Sequence, residues 1–283
     1  MSVRTEILDE MHEWVRNDRN QSFQRDKRIE AIVGLLRRGP LADKDKALVG
    51  SHLGILSNWY LILGTVRVAD GNTAGWTDLS HGMRIDYWHV RLLVEQWGKD
   101  PRKNKQPRMD LLRPSLCLAM AMAFDRREIA DWLGKRLADS VQDGAFGKWG
   151  VLKLPLLVLK LHQRHAGQDV KADPIGGDGS RPYVEVFARW DHDEAFAQAI
   201  QAICDFHVEQ SVDRGDESIG EFSRYPFNIV PFEIFAIRNV RRREGLSMPT
   251  VSHPLLSPPF GDVPSDVPDA ADALIEEVRR LSG

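Results

Sequence analysis

With 283 residues and a mass of 32.1 kDa, the chain is long enough for one large domain or two small ones. A hydrophobic fraction of 42% and a charged fraction of 28% are those of a globular protein, which excludes a largely disordered or fibrous chain. The net charge of −3 excludes a general electrostatic affinity for nucleic acid.

Helical periodicity dominates the chain from its start. Apolar residues recur at intervals of three and four, as in Ile7, Met11, Trp14 and Val15, where one face of a helix is apolar. A second stripe begins at Phe23 and stops before Gly39 and Pro40. We predict helices over residues 7–15, 23–36, 43–63, 76–97, 111–124, 125–137, 149–162, 195–208, 225–240 and 269–281.

Four segments interrupt this periodicity. Residues 99–108 are polar and basic, and residues 167–182 are rich in Gly, Pro and Asp, so both are predicted loops. Residues 184–190 suit either a strand or a helix. The proline-rich segment 249–268 is expected to be extended.

The pattern predicts an all-α protein of nine or ten helices, either a multi-helix bundle or stacked helical hairpins. We expect a single all-helical domain over residues 1–283, with a possible subdivision into 1–166 and 183–283 at the glycine-rich loop.

No targeting signal or membrane segment is expected. The longest apolar runs, such as residues 154–161, fall well short of the roughly 20 residues that a membrane span needs. The N-terminus carries Arg4 and Glu6 and lacks the apolar region of a secretory signal. These features predict a cytoplasmic protein that does not bind membranes.

The two cysteines are expected to be small buried side chains. Cys117 and Cys204 lie in apolar helical segments and are too far apart in sequence for a compact zinc motif. A disulfide between them is the alternative, although nothing else indicates an oxidising compartment.

Histidine spacing gives weak support for a metal site. His81, Asp86 and His89 could share one helical face, which leaves a metal-dependent or small-molecule enzyme as an alternative. The H-E-x-x-H spacing of a helical metal pair is missing. His162 and His165 suit a helix C-terminus, and the acidic residues of 191–194 suit the first turn of a helix.

Known catalytic motifs are also missing. There is no G-x-S-x-G nucleophile elbow, and the glycines of 176–179 are not followed by the Lys-Ser/Thr of a phosphate-binding loop. The basic segment 99–108 has no interleaved aromatic residues for nucleic-acid stacking. The sequence therefore predicts neither an enzyme nor a nucleic-acid-binding protein, and no cofactor or metal.

Charge is unevenly distributed along the chain. Residues 191–221 contain nine acidic residues and one basic residue, Arg214, a local charge of −8 that leaves the rest at +5. Such a stretch can steer and hold a basic partner, although a solvated helix face gives the same pattern.

Two segments resemble all-helical bacterial immunity proteins that act against type VI secretion or polymorphic-toxin effectors. Residues 116–133, LCLAMAMAFDRREIADWL, are similar to the helical hairpin of these proteins. Residues 231–238, PFEIFAIR, are similar to their C-terminal helix. Helical repeats of the tetratricopeptide type share the small-residue and Trp pattern, so a peptide-binding repeat scaffold is a further alternative.

The resemblance implies stoichiometric binding of a cognate toxin, such as a nuclease effector, by occlusion of its active site or by a block of its assembly. A basic surface of the toxin would meet the acidic stretch of this chain. Aromatic residues next to the stretch would anchor the complex, although aromatic residues also suit the core of a protein. The expected partner-binding residues are Asp191, Asp193, Glu194, Asp213, Asp216, Glu217, Glu221, Trp190, Phe222 and Tyr225. The sequence does not predict an oligomeric state.

Overall fold

The computed structural model describes residues 3–97, 112–142, 153–167, 182–212, 220–261 and 263–282. Within these ranges the chain forms eleven helices and no strand, which confirms the predicted all-α class. They are α1 (Val3–Arg16), α2 (Asp18–Asn20, Gln21–Asp26 and Lys27–Leu36 in succession), α3 (Asp43–Ala69), α4 (Ala74–Trp97), α5 (Leu112–Ala123), α6 (Arg127–Gln142), α7 (Lys153–His165), α8 (Tyr183–Ala188), α9 (Asp193–Gln210), α10 (Phe232–Arg243) and α11 (Ala273–Ser282).

The chain divides into two compact units. One consists of Met1–Pro107 and Asp266–Gly283 and carries α1–α4 and α11; the other is Arg108–Ser265 and carries α5–α10. The sequence suggested a possible division at residues 167–182. In the structure the divisions fall after Pro107 and after Ser265, and the C-terminal helix belongs to the first unit.

Contacts of α11 with early helices explain this return. The ammonium group of Lys46 donates to the carbonyl oxygen of Ser282 at 2.6 Å, and His81 Nε2 lies 3.2 Å from Asp272 Oδ2. Ile275, Val278 and Leu281 are buried on one face of α11. Burial of this apolar face stabilises a pairing that joins the two ends of the sequence.

The first unit is built on the antiparallel pair α3 and α4. Their backbones approach closely where glycines meet: a Cβ atom added to Gly64 would lie 2.7 Å from the carbonyl oxygen of Gly75 and 2.8 Å from the backbone nitrogen of Leu79. Real Cβ atoms do not come this near to backbone atoms, so the pairing requires glycine at position 64.

We predict that Gly64→Ala destabilises the protein by about 1–3 kcal/mol, because the cost of overpacking exceeds the roughly 1 kcal/mol of helix propensity that alanine gains. Gly34→Ala is the matched control, since a Cβ atom at Gly34 would meet nothing within 4 Å. This substitution should be neutral or stabilising. Urea unfolding of both variants measures the difference, and equal stabilities would contradict the close approach.

One predicted core residue of α2 is exposed. Residues Gln21–Asp26 form a π-helical turn, and the buried stripe of Ile32 and Leu36 follows it. At α-helical spacing, Phe23 lies half a turn away from Ile32 and so on the opposite side of the helix. Phe23 was expected in that stripe, but it is 48% exposed. The expectation for Phe23 was therefore wrong.

One described helix, Asp43–Ala69, is long and apolar enough to cross a membrane by length and composition alone. Of its most apolar 18-residue window, 56% is buried inside the protein, and a core helix passes the same test. This observation is weak evidence for a membrane span.

The second unit surrounds α5, which packs against α6, α7 and α10. Every residue of α5 except Arg113 is buried, as its nearly continuous apolar sequence predicted. Asn239 on α10 donates to the carbonyl oxygens of Met122 and Ala123, at 3.0 and 2.6 Å, and so caps the C-terminus of α5.

The segments between helices agree with several predictions. Strand and helix were both open for residues 184–190, and residues 184–188 are helical. The proline-rich segment is non-helical where it is described, except for a short 3₁₀ turn at Pro254–Leu256. Cys117 and Cys204 are buried thiols and do not form the alternative disulfide.

Candidate functional site

The acidic residues at the start of α9 have two different roles. Asp191 and Glu194 are exposed to solvent. Asp193 instead accepts from Arg241 at 2.6 Å and from the hydroxyl of Ser247 at 2.8 Å. Asp193 was expected to contact a partner; its carboxylate makes these contacts within the unit, and its side chain remains 60% exposed.

Arg241 is the centre of this network and is completely buried. Its guanidinium lies over the ring of Phe196, 3.9 Å from the centroid, and donates to the carbonyl oxygens of Trp190 and Ser247. A buried cation is tolerated only when it is paired and hydrogen-bonded, and Asp193 supplies the negative charge. The network therefore ties the α8–α9 corner to the end of α10.

Trp190 belongs to the same network. Its indole nitrogen donates to Glu244 Oε2 at 2.7 Å, and its ring stacks on Phe187 with an interplanar angle of 6°. Arg164 covers the ring at 4.6 Å from the centroid. Trp190 is buried and is therefore a core residue, which was the alternative to an exposed anchor.

Glu221 and Phe222 are also buried. Both carboxylate oxygens of Glu221 accept from backbone N–H groups at the start of α7, from Lys153 at 2.7 Å and from Leu154 at 2.6 Å. Glu221 is thus a helix cap, although burial raises the pKa of its carboxyl group. Phe222 stacks on the ring of His207 with centroids 4.2 Å apart.

Four further residues were predicted to bind a partner. Tyr225 is half-buried. Asp213, Asp216 and Glu217 lie outside the described residues.

The solvent face of α9 carries the exposed part of the acidic stretch. Residues at intervals of three or four along this helix and the turn after it are exposed, and they combine carboxylates with aliphatic side chains. Val208 and Val212 are 48% and 42% exposed, which is unusual for large aliphatic residues in this protein. We call this surface the acidic face; it consists of Glu194, Gln198, Asp205, Val208, Glu209 and Val212.

One histidine approaches the acidic face from the proline-rich segment. His253 Nε2 lies 3.3 Å from Asp205 Oδ1, and the Asp205 side chain remains 67% exposed. Asp205 therefore keeps most of its carboxylate available to a partner.

Of the described residues that were predicted to bind a partner, only Glu194 lies on this face. The aromatic anchors were predicted at Trp190, Phe222 and Tyr225, whereas the exposed apolar residues are Val208 and Val212. The signal that could have found them is the helical period itself, since positions 194, 198, 205, 208, 209 and 212 fall opposite the buried stripe.

The opposite side of α9 contains a buried polar cluster. His207 Nδ1 and Glu233 Oε1 are 2.7 Å apart, and both side chains are almost fully buried. Burial raises the pKa of Cys204 to about 12, with further contributions from Glu233 and Asp205. A thiol that stays protonated is a poor nucleophile and ligand, so this cluster is structural in character.

The histidines considered as metal ligands make other contacts. His89 Nδ1 lies 2.6 Å from the carbonyl oxygen of Gly50, and His81 lies beside Asp272. Asp86 is buried. His162 packs on Gly134 near Asp131. Within the described part of the chain, no group of three or more His, Cys, Asp or Glu side chains could hold a metal ion.

The comparisons with known proteins give no relative for this chain. No family model matches it, and no curated protein and no solved structure shows significant similarity to it.

Proposed function

We propose that this protein is a cytoplasmic, non-enzymatic immunity protein that binds and neutralises a cognate bacterial toxin. The observation that carries the proposal is the acidic face, where carboxylates and exposed aliphatic side chains occupy one side of α9. Complementary charge accelerates association and selects the partner, while the apolar groups supply burial in the complex.

The chemistry of this face defines the partner. Glu194, Asp205 and Glu209 would meet Lys and Arg side chains, as on a toxin that binds nucleic acid. Val208 and Val212 would be covered by apolar groups at the centre of the contact. We also propose Asp213, Asp216 and Glu217, which follow in the sequence, as contacts of the toxin.

The first test is protection. The reading frame next to the gene for this chain would be expressed alone and together with it in a bacterial host. We expect growth inhibition by the neighbouring product alone and recovery on co-expression, with a stable complex on gel filtration. A harmless neighbouring product, or toxicity that co-expression leaves unchanged, would contradict the proposed function.

The second test is charge reversal on the acidic face. In Glu194→Lys/Asp205→Lys/Glu209→Lys, we expect affinity for the toxin to fall by about 10- to 100-fold, mainly through slower association. Surface plasmon resonance at low and high salt measures both effects, and the salt dependence should shrink in the variant.

A matched control changes the net charge equally at another site. Glu6, Asp9 and Glu13 are exposed on α1, and Glu6→Lys/Asp9→Lys/Glu13→Lys should leave affinity nearly unchanged. Equal effects of the two triple variants would show that total charge, and not the acidic face, governs binding.

A further inference from the structure

A second exposed apolar surface lies on the first unit. Phe23 on the π-helical turn of α2 and Leu48 on α3 are 48% and 50% exposed. Together with Val208 and Val212 they are the exposed large hydrophobic residues of the described chain. These residues thus form two pairs, one on each unit.

Cations surround the pair on the first unit. The guanidinium of Arg28 lies over the ring of Phe23, 4.2 Å from the centroid, and the ammonium of Lys27 lies 5.8 Å from it. Arg28 Nη1 is 3.5 Å from His52 Nδ1, and His52 follows Leu48 by one helical turn. Arg28 therefore links Phe23 to the Leu48 side of α3.

We call this surface the cationic patch; it consists of Phe23, Lys27, Arg28, Lys44, Leu48 and His52. Burial and the neighbouring Arg28 lower the pKa of His52, so the positive charge of the patch comes from its lysines and arginine. Asp45 lies one turn before Leu48 and contributes one negative charge, which the lysines and arginine of the patch outnumber. Exposed aromatic and Arg side chains together are typical of protein interfaces.

The two surfaces are complementary in charge and similar in apolar character. One presents aliphatic side chains among carboxylates, and the other presents Phe23 and Leu48 among cations. We propose that the cationic patch of one copy of this chain binds the acidic face of a second copy. The contact buries the four exposed apolar side chains and pairs opposite charges around them.

This contact is heterologous, because the two copies contribute different surfaces. In a dimer, the copy that contributes its patch retains an unused face, and the other copy retains an unused patch. Association therefore continues to larger assemblies unless the rotation closes a ring. The acidic face takes part in this contact and in the proposed toxin contact, so toxin binding would release the self-association.

Sedimentation and light scattering test self-association from about 10 μM to about 1 mM, the range of weak complexes. We expect the weight-average mass of the protein to rise with concentration at low salt and to return to the monomer value at high salt. A monomer mass throughout this range at low salt would overturn the proposal.

Complementation by two variants identifies the surfaces. Phe23→Ser/Lys27→Glu removes the cationic patch, and Asp205→Lys/Glu209→Lys removes the acidic face. Each variant alone should remain monomeric, while an equimolar mixture should form a 1:1 dimer that grows no further. Self-association of either variant alone, or a mixture that stays monomeric, would overturn the assignment.

The result is separable from the proposed function. Phe23→Ser/Lys27→Glu should lose self-association and still bind the toxin, since its acidic face is intact. Circular dichroism and thermal unfolding verify that both variants are folded, as is expected for substitutions at exposed side chains. If Phe23→Ser/Lys27→Glu fails to bind the toxin while the two variants still form a dimer when mixed, the result would contradict the proposed function and leave the self-association intact.

Discussion

Replacement of Glu233 by alanine is expected to lower the free energy of unfolding by about 3–5 kcal/mol, the usual cost of removing one member of a buried pair. Glu233 Oε1 lies 2.7 Å from His207 Nδ1 in a site without solvent contact. The other ring nitrogen of His207 is buried and makes no hydrogen bond with the described residues. Loss of Glu233 would leave the whole imidazole without a polar partner.

Chemical denaturation monitored by circular dichroism measures this effect. Glu233→Gln retains an oxygen acceptor in the same volume and should cost less, about 1–2 kcal/mol. Glu194→Ala removes an exposed carboxylate on the neighbouring helix and should stay within about 0.5 kcal/mol of the wild type. If Glu233→Ala were as mild as Glu194→Ala, the buried pair would have no structural importance.

Arg241→Met should be similarly destabilising, by about 3–5 kcal/mol. Methionine fills much of the space but donates no hydrogen bonds, so the carbonyl oxygens of Trp190 and Ser247 lose their donor. Asp193 also loses the cation that its carboxylate contacts. The cost of leaving the buried carbonyl oxygen of Trp190 unsatisfied exceeds any gain from a more apolar side chain.

Arg242 provides the matched control, because it is the next residue on α10 and is exposed. Arg242→Met removes the same charge and should change stability by about 0.5 kcal/mol or less. Thermal unfolding of the pair distinguishes the buried network from a general effect of lost charge. Equal melting temperatures for the two variants would contradict the role assigned to Arg241.

The pattern of acidic residues predicted a surface, and the structure shows that two of its members bind groups of the protein itself. Asp193 and Glu221 look like the other acidic residues in sequence, yet one neutralises Arg241 and the other caps α7. Their partners are tens of residues away in sequence, so no local pattern could reveal them. Glu194 and Asp205 remain exposed because they project from the solvent side of α9.

Apolar residues also differ from their predicted burial, in both directions. Phe23 was assigned to the buried stripe of α2, but at α-helical spacing it lies half a turn away from Ile32, and its side chain is exposed. Trp190, Phe222 and Tyr225 were considered as anchors because they flank the acidic stretch. Trp190 and Phe222 lie in the core, and Tyr225 is half-buried. Hydrophobicity indicates that a residue can be buried; only packing decides which ones are.

The sequence alone determined the helical class and most helix positions, because the apolar period of a helix is a local property. It also located the acidic stretch of residues 191–221, although the net charge of the whole chain is only −3. Tertiary structure decided which carboxylates face solvent and where the C-terminal helix packs. Both depend on contacts between distant parts of the chain, such as Lys46 with Ser282 and Asp193 with Arg241, whose energies arise only once the helices are packed.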